Sequence, residues 1–375
     1  MDFEFTDEQR LLKDSVERLV ADRYGFESRK KYMAEPRGWS EEVWAQYAEL
    51  GLLGLPFAEE YGGFGGGPVE TMIVMEAFGR GLVLEPYFAT VILGGGVLRH
   101  AASAAQRAAL LPLVAGGTLK LALAHTERHS RHDLANVTAT ATKDGDGWVL
   151  NGAKSVVLHG DCADKIIVSA RTTGGQRERG GIGLFLVDAA DVTRQGYPTQ
   201  DGLRAAEITL ANARAEALGD PAGGLPILER VIDEAIAALA AEGVGIMAEM
   251  HELTVEYLKT RQQFGRPIGQ FQVLQHRSVD MFVALEQARS ITLYGTMLAG
   301  DDDTAERARA MAATKVQIGR AGRHIGQECI QLHGGIGMTA EYKAGHYFKR
   351  ITMIDKLYGD ADAHVARLAA MGGIF

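Results

Sequence analysis

The sequence predicts three blocks in the order α, β, α, and two changes of side-chain periodicity set that order. Early in the chain apolar residues recur three and four apart. Near residue 119 the repeat shortens to alternation, and from Ile227 it lengthens again. With 375 residues, 46% of them hydrophobic, the chain can bury a large core and divide into two or three sub-domains.

In the first block, Thr6-Asp7-Glu8-Gln9 has the form of a capping box. Leu11, Leu12, Val16, Leu19 and Val20 then keep helical spacing. Ser40 is placed to cap a second helix through Val43, Trp44, Tyr47 and Leu50, with Gly51 placed to stop it. The glycine-rich run 62–67 reads as a loop. Pro68 suits the first turn of the helix carrying Met72, Ile73, Met75, Glu76 and Phe78.

In the second block strands are expected at 119–124, 137–142, 156–158, 165–169, 183–187 and 207–210. Asp144-Gly145-Asp146-Gly147 before Trp148-Val149-Leu150 is a hairpin signal, since Asp-Gly pairs tolerate positive φ. The Gly-rich, charged stretch 174–181 is a surface loop. The third block carries helical runs at 231–260, 271–299 and 304–332, with a last one in 345–370. Breaks are expected at Gly265-Arg266-Pro267, 300–303 and 334–337.

Composition narrows the function. A net charge of −9, spread along the chain, argues against nucleic acid or an anionic membrane as partner. Two cysteines, Cys162 and Cys329, make no disulfide framework, so a reducing cytoplasm is expected. The opening residues Met1-Asp2-Phe3-Glu4-Phe5 carry no basic or apolar leader signal. Apolar runs such as 121–124 and 236–241 fall short of the ~20 residues a spanning helix needs. His125, His129, His132 and His159 are scattered, and His129 and His132 lack a third ligand at sensible spacing, so no metal site is expected. The run 62–67 lacks Gly-x-Gly-x-x-Gly order and follows no strand, which leaves a dinucleotide fold unsupported. Met247 and Met250 read as bundle core.

Two motifs in the third block carry a resemblance. Arg261-Gln262-Gln263-Phe264-Gly265-Arg266-Pro267-Ile268 precedes Phe271-Gln272, and Gln331-Leu332-His333-Gly334-Gly335-Ile336-Gly337 follows in register. Together they resemble the acyl-CoA dehydrogenase family, and the likeness covers essentially the whole chain. It implies an α+β multi-domain fold with a helical domain at 1–118, a middle β-sandwich or barrel-like domain at 119–225 and a four-helix bundle at 226–375. It also implies FAD, an acyl-CoA substrate, and electron-transfer flavoprotein as electron acceptor. In that family each flavin's ADP portion reaches a neighbouring subunit. The residues matching the neighbour's contribution are Arg261, Phe264, Phe271, Gln272, Gln331, Gly334 and Gly335. A guanidinium fork suits a pyrophosphate, and glycines let backbone N–H groups approach it.

The part of the site the family builds within one chain departs from the pattern. Thr126-Glu127 matches, but Arg128-His129-Ser130-Arg131-His132 replaces the expected Pro and Gly-Ser. Asn151-Gly152-Ala153 matches; Val156 then stands for a flavin-packing Trp and Leu158 for a hydroxyl residue. The base segment Tyr-Glu-Gly-Thr reads Tyr358-Gly359-Asp360-Ala361. If Gly359 holds the glutamate's place, its N–H can still meet the thioester carbonyl while the base is gone.

A one-residue shift would make Asp360 the base, or Asp360 and Asp362 cap the following helix. The family's minority base position matches Ala235. Glu234 lies about 100° around the helix from it, and Glu242 returns two turns on to nearly the same face. Glu242 is equally read as a buried, paired structural residue. Three readings stay open: a small subunit of a heteromer, a homomeric enzyme using Asp360 or Glu242, and a flavin-free scaffold. The segments Asp201-Gly202-Leu203-Arg204-Ala205-Ala206-Glu207, Thr254-Val255-Glu256-Tyr257-Leu258-Lys259-Thr260-Arg261 and Gly345-His346-Tyr347-Phe348-Lys349-Arg350 look most like the small subunit of pimeloyl-CoA dehydrogenase-type enzymes. The first reading therefore implies a homologous large subunit in a dimer of dimers.

Overall fold

The computed structural model describes residues 5–372. Four of the opening residues on which the leader was judged, and the outer ends of the expected domains 1–118 and 226–375, lie outside that range. Six helices come first: α1 (Asp7–Arg23), α2 (Phe26–Ala34), α3 (Glu41–Glu49), α4 (Pro68–Gly81), α5 (Gly95–Ala101) and α6 (Ala104–Ala115). The strands are β1 (Leu121–Ala124), β2 (Thr140–Asp144), β3 (Gly147–Leu158), β4 (Lys165–Arg171), β5 (Ile182–Asp188), β6 (Thr193–Pro198) and β7 (Arg204–Leu218). The third block holds α7 (Gly224–Thr260), α8 (Gln272–Ala299), α9 (Thr304–His333), α10 (Lys343–Lys356) and α11 (Ala361–Ala370). Contacts divide the chain into two compact units. One comprises Met1–Lys31, Pro68–Val83 and Ile236–Phe375; the other comprises Tyr32–Gly67 and Leu84–Ala235.

Local chemistry accounts for the helix ends. Thr6 Oγ1 accepts from Gln9 N at 3.2 Å while Gln9 Oε1 accepts from Thr6 N at 3.0 Å, so α1 starts on a complete capping box. Ser40 caps α3 through Val43 N at 3.3 Å. This is the third helix rather than the second. α2, with its Phe-Glu-Ser-Arg-Lys-Lys-Tyr-Met-Ala sequence, lies between, and its one buried residue is Arg29, so no apolar period announces it.

In the first unit α4 and α7 touch backbone to backbone. A Cβ on Gly79 would meet Glu242 O at 2.1 Å, and one on Gly245 would meet Glu76 O at 2.0 Å. That close approach fixes the stretch of α7 that carries Glu242. The run 345–370, expected to carry one last helix, holds two. Tyr358 at φ 58° and Gly359 at φ 102° end α10 before Asp360 starts α11.

In the second unit the sheet order is β1-β4-β2-β3-β7-β5, and β5 also pairs with β4, so the strands close into a barrel-like ring. Asp144 pairs with Gly147 around Gly145 at φ 59°, the expected hairpin. β3 and β7 absorb the short strands expected at 156–158 and 207–210. β6 was not foreseen, because it pairs only with β7 and its exposure shows no alternation. β2 begins later than expected because Thr138 N and Ala139 N donate to the Glu127 carboxylate instead of a ladder. Leu150, Val157, Ile166, Val168, Phe185 and Ile208 pack inside the ring, each burial stabilising by about 1.5–3 kcal/mol.

Candidate functional site

In the second unit the segments expected to bear the site are the turn after β1 and a bulge in β3. Thr126 O accepts from Ser155 N at 2.9 Å, which ties the two together. Thr126 Oγ1 lies 3.2 Å from His125 Nε2. Burial, followed by the nearby Lys154 charge, pushes His125 down to about 4, so the ring is neutral at physiological pH. Glu127 is buried and accepts from Lys154 Nζ at 2.7 Å, Thr138 N at 3.0 Å and Ala139 N at 3.1 Å. Burial raises its pKa, but Lys154 and these donors outweigh that and hold it below the usual carboxylate range. Lys154 also donates to Ser169 Oγ at 3.2 Å. This buried pair is structural, and it anchors Thr126.

At the bulge the register shifts between Lys154 and Val157, and Val156 adopts φ 52° with 44% of its surface exposed. A β-branched residue in the left-handed region is strained by roughly 1–3 kcal/mol and persists only where the surroundings hold it. Glu207 Oε1 does the holding, accepting from Val156 N at 3.2 Å and Tyr197 Oη at 2.8 Å. Sequence reasoning missed Glu207 and Tyr197, because nothing in the chain links them to a residue about fifty positions away. Leu158 is half-buried opposite Ala205.

In the first unit the segment matching the base is a tight turn. Gly359 is buried at φ 102°, and a Cβ there would lie 2.9 Å from His364 Nε2. That ring nitrogen is 3.0 Å from Tyr358 O. Since a carbonyl only accepts, His364 donates to it. The planar peptide then aims the Gly359 N–H the opposite way. Asp360 caps α11, accepting from Ala363 N at 3.0 Å and from Lys356 Nζ at 3.1 Å. Glu242 is buried in a bidentate pair with Arg350, Nε at 2.6 Å and Nη2 at 2.8 Å. Lys315, another residue that sequence alone did not single out, donates to Ile354 O and Asp355 O and so caps α10. In the other unit Ala235 is buried, and Glu234 pairs with Arg99 at 2.6 Å and His100 at 2.7 Å.

The residues expected to contact a flavin's ADP half lie in the first unit, in two groups on neighbouring helix ends. Arg261 follows the last turn of α7 and is exposed. Phe264 at φ 54° and Gly265 at φ 72° turn a two-residue hairpin, leaving Phe264 88% exposed. Its ring meets Phe271 edge-on at 6.0 Å, and Arg266 lies 4.2 Å over Phe271. Gln272 opens α8 and is exposed. The second group is exposed Gln331 with Gly334 and Gly335, around whose missing Cβ atoms the space is open. Tyr257 and His333, with ring centroids 4.6 Å apart, bring the end of α7 against the end of α9. An exposed guanidinium, uncovered glycine backbone and an exposed aromatic ring fit the pyrophosphate and ring system of an adenine dinucleotide.

Among the described residues no group of three or more His, Cys, Asp or Glu is placed to hold a metal. No helix among them is long and apolar enough to cross a membrane.

The α-β-α architecture is given its class by comparison with known proteins. Models of the acyl-CoA dehydrogenase N-terminal, middle and C-terminal domains match residues 6–118, 122–213 and 222–371. Acyl-CoA dehydrogenase IpdE2 of Mycobacterium tuberculosis is 31% identical, over 92% of this chain and 91% of that protein. A solved Tcur3481-Tcur3483 steroid ACAD G363A variant is 30% identical with a TM-score of 0.88, covering 97% of each chain. The FAD complex of PigA is 25% identical with a TM-score of 0.89, covering 100% of each. The chain belongs to the acyl-CoA dehydrogenase family, FAD-dependent oxidoreductases that desaturate acyl-CoA thioesters.

Proposed function

We propose that this chain is the base-deficient small subunit of a heteromeric acyl-CoA dehydrogenase. The observation that carries the reading is Gly359, which has no side chain to act as a base and at whose φ of 102° an added Cβ would lie 2.9 Å from His364 Nε2. The other acids are committed elsewhere, Asp360 to capping α11 and Glu242 to Arg350. FAD, when bound, would supply the acceptor for the hydride leaving the β-carbon, while a base would take the α-proton. On this reading a larger homologous subunit supplies the base and the flavin-ring pocket. Arg261, Phe264, Phe271, Gln272, Gln331, Gly334 and Gly335 of this chain clasp the ADP half of the partner's FAD. Thr126 remains a ring-edge contact of this chain. The Gly359 N–H, aimed by His364, is kept as a donor to a thioester carbonyl.

An exposed apolar face supports a partner. Val279, Phe282 and Val283 near the start of α8 are 57%, 49% and 47% exposed, and Tyr294 and Met297 near its end 41% and 42%, with exposed Glu286 and Ser290 between the two groups; exposed apolar side chains of this kind suit a partner surface. The electron acceptor on this reading is electron-transfer flavoprotein, and the compartment is the cytoplasm. The test is purification of the chain alone and with a co-expressed homologue. FAD loss and inactivity alone, both restored in the complex, are expected. Stoichiometric FAD with robust dehydrogenation by the chain alone overturns the reading.

A second reading rests on Asp360, whose side chain stays 31% exposed beside the Gly359 turn. Flavin bleaching by the chain alone that disappears in Asp360→Ala would favour it.

A further inference from the structure

The hairpin that turns at Phe264 and Gly265 carries a second arginine, Arg266, beside the residues expected to contact a flavin's ADP half. Between Glu256 and Asp280 the chain holds no Asp or Glu, although its net charge is −9. The Lys and Arg side chains of that stretch are Lys259, Arg261, Arg266 and Arg277. Arg277 is paired with Glu328, whereas among the described residues Lys259, Arg261 and Arg266 form no ion pair. An acidic protein therefore presents a locally electropositive segment here, suited to an anion.

Register decides which of these cations act together. Gln263 pairs with Arg266 and Gln262 with Pro267, and Ile268 N donates to Arg261 O at 2.9 Å. Side chains alternate between faces along a strand, so Arg261, Gln263 and Arg266 share one face of the ribbon. Arg261 is the diagonal neighbour of Arg266 across it, and such neighbours lie about 7–8 Å apart, within reach of long side chains. Lys259 sits in the last turn of α7, outside the ribbon.

Phe271 restrains Arg266. The guanidinium carbon lies 4.2 Å from the Phe271 ring centroid, within cation–π range, and Phe264 meets the same ring edge-on at 6.0 Å. With its carbon over the ring and no carboxylate paired to it, the guanidinium has N–H groups to spare. Being held already, it loses less freedom when a ligand binds.

We propose, resting on the reading of this chain as the clasp of a partner's FAD, that Arg266 binds the FAD diphosphate beside Arg261. A diphosphate diester carries two negative charges at neutral pH. Two guanidinium forks on one face match them, whereas Arg261 alone leaves one charge over.

The test is the affinity for FAD, read by flavin fluorescence, and for ADP, read by displacement of FAD. Both are measured on the protein in the form that holds FAD, alone or with a co-expressed homologue. Arg266→Gln, at an exposed position, should weaken FAD and ADP alike by about tenfold. Lys259→Gln removes the same charge nearby and should change both by less than about twofold. If Arg261→Ala weakens both ligands and Arg266→Gln neither, the role of Arg266 is overturned and the clasp stands. If neither variant has an effect, the clasp falls with it. Weakening of FAD without ADP in Arg266→Gln, or an equal loss in Lys259→Gln, also overturns the diphosphate assignment.

Discussion

Replacing Gly359 by glutamate restores the family's base in sequence, and the structure predicts that it fails in the protein. At φ 102° any residue with a Cβ is strained, by about 1–3 kcal/mol. The new Cβ also lies 2.9 Å from His364 Nε2 and 3.1 Å from its Cδ2, inside van der Waals contact. Overpacking of that kind costs a further ~1–3 kcal/mol. Gly359→Glu should therefore lose about 2–6 kcal/mol of urea-unfolding stability. Gly359→Ala should lose nearly as much, since strain and clash begin at Cβ. Adding His364→Ala removes the clash but not the strain, so the two losses should be non-additive by about 1–3 kcal/mol. Anaerobic mixing with acyl-CoA should bleach no flavin in any of these variants purified alone. A Gly359→Glu protein as stable as wild type, and able to bleach FAD by itself, would refute the reasoning.

The other expectations are simpler. Val156→Gly should stabilise by about 1 kcal/mol, because it relieves a left-handed β-branched residue whose side chain is 44% exposed; a measured loss would show that Val156 packs on something essential. Glu242→Gln leaves Arg350 buried without its carboxylate and should destabilise by about 3–5 kcal/mol, read by urea unfolding; an unchanged midpoint would contradict the pairing. His125 is held near 4 in the folded chain against an ordinary value of 6.5. The unfolded state then binds the extra proton between those values, so stability is full above pH 6.5 and falls as pH drops toward 4. The loss should reach about 3 kcal/mol, and His125→Gln should remove that part of the acid sensitivity in urea midpoints compared across pH. Arg261→Ala in the heteromer should weaken FAD retention about 10- to 100-fold, checked by flavin release on dilution.

What the sequence made legible follows how far each signal reaches. Capping at Thr6 and Ser40 and the Asp144–Gly147 hairpin are local chemistry, and the structure shows them as read. The residues proposed as the flavin arm stand in two sequence motifs, but that Arg261 and Gly334 lie on neighbouring helix ends depends on the Tyr257–His333 contact between distant residues. Glu207 holding Val156 was invisible for the same reason, and His364, six residues from Tyr358, closes the Gly359 turn by a local hydrogen bond that no capping or hairpin pattern announces. β6 and α2 escaped because most of their side chains face solvent or each carries too little apolar pattern. The commitments of Asp360 and Glu242 likewise needed their partners in space, Ala363 N and Arg350.

The most direct test of the division of labour is flavin content and acyl-CoA-driven bleaching, measured on the chain alone, on its complex with a co-expressed larger homologue, and on that complex carrying Arg261→Ala. The account predicts little FAD and no bleaching alone, full FAD and bleaching in the complex, and FAD lost from the partner's site when Arg261 is removed. A yellow, stoichiometrically loaded chain that turns over acyl-CoA with no partner would contradict it.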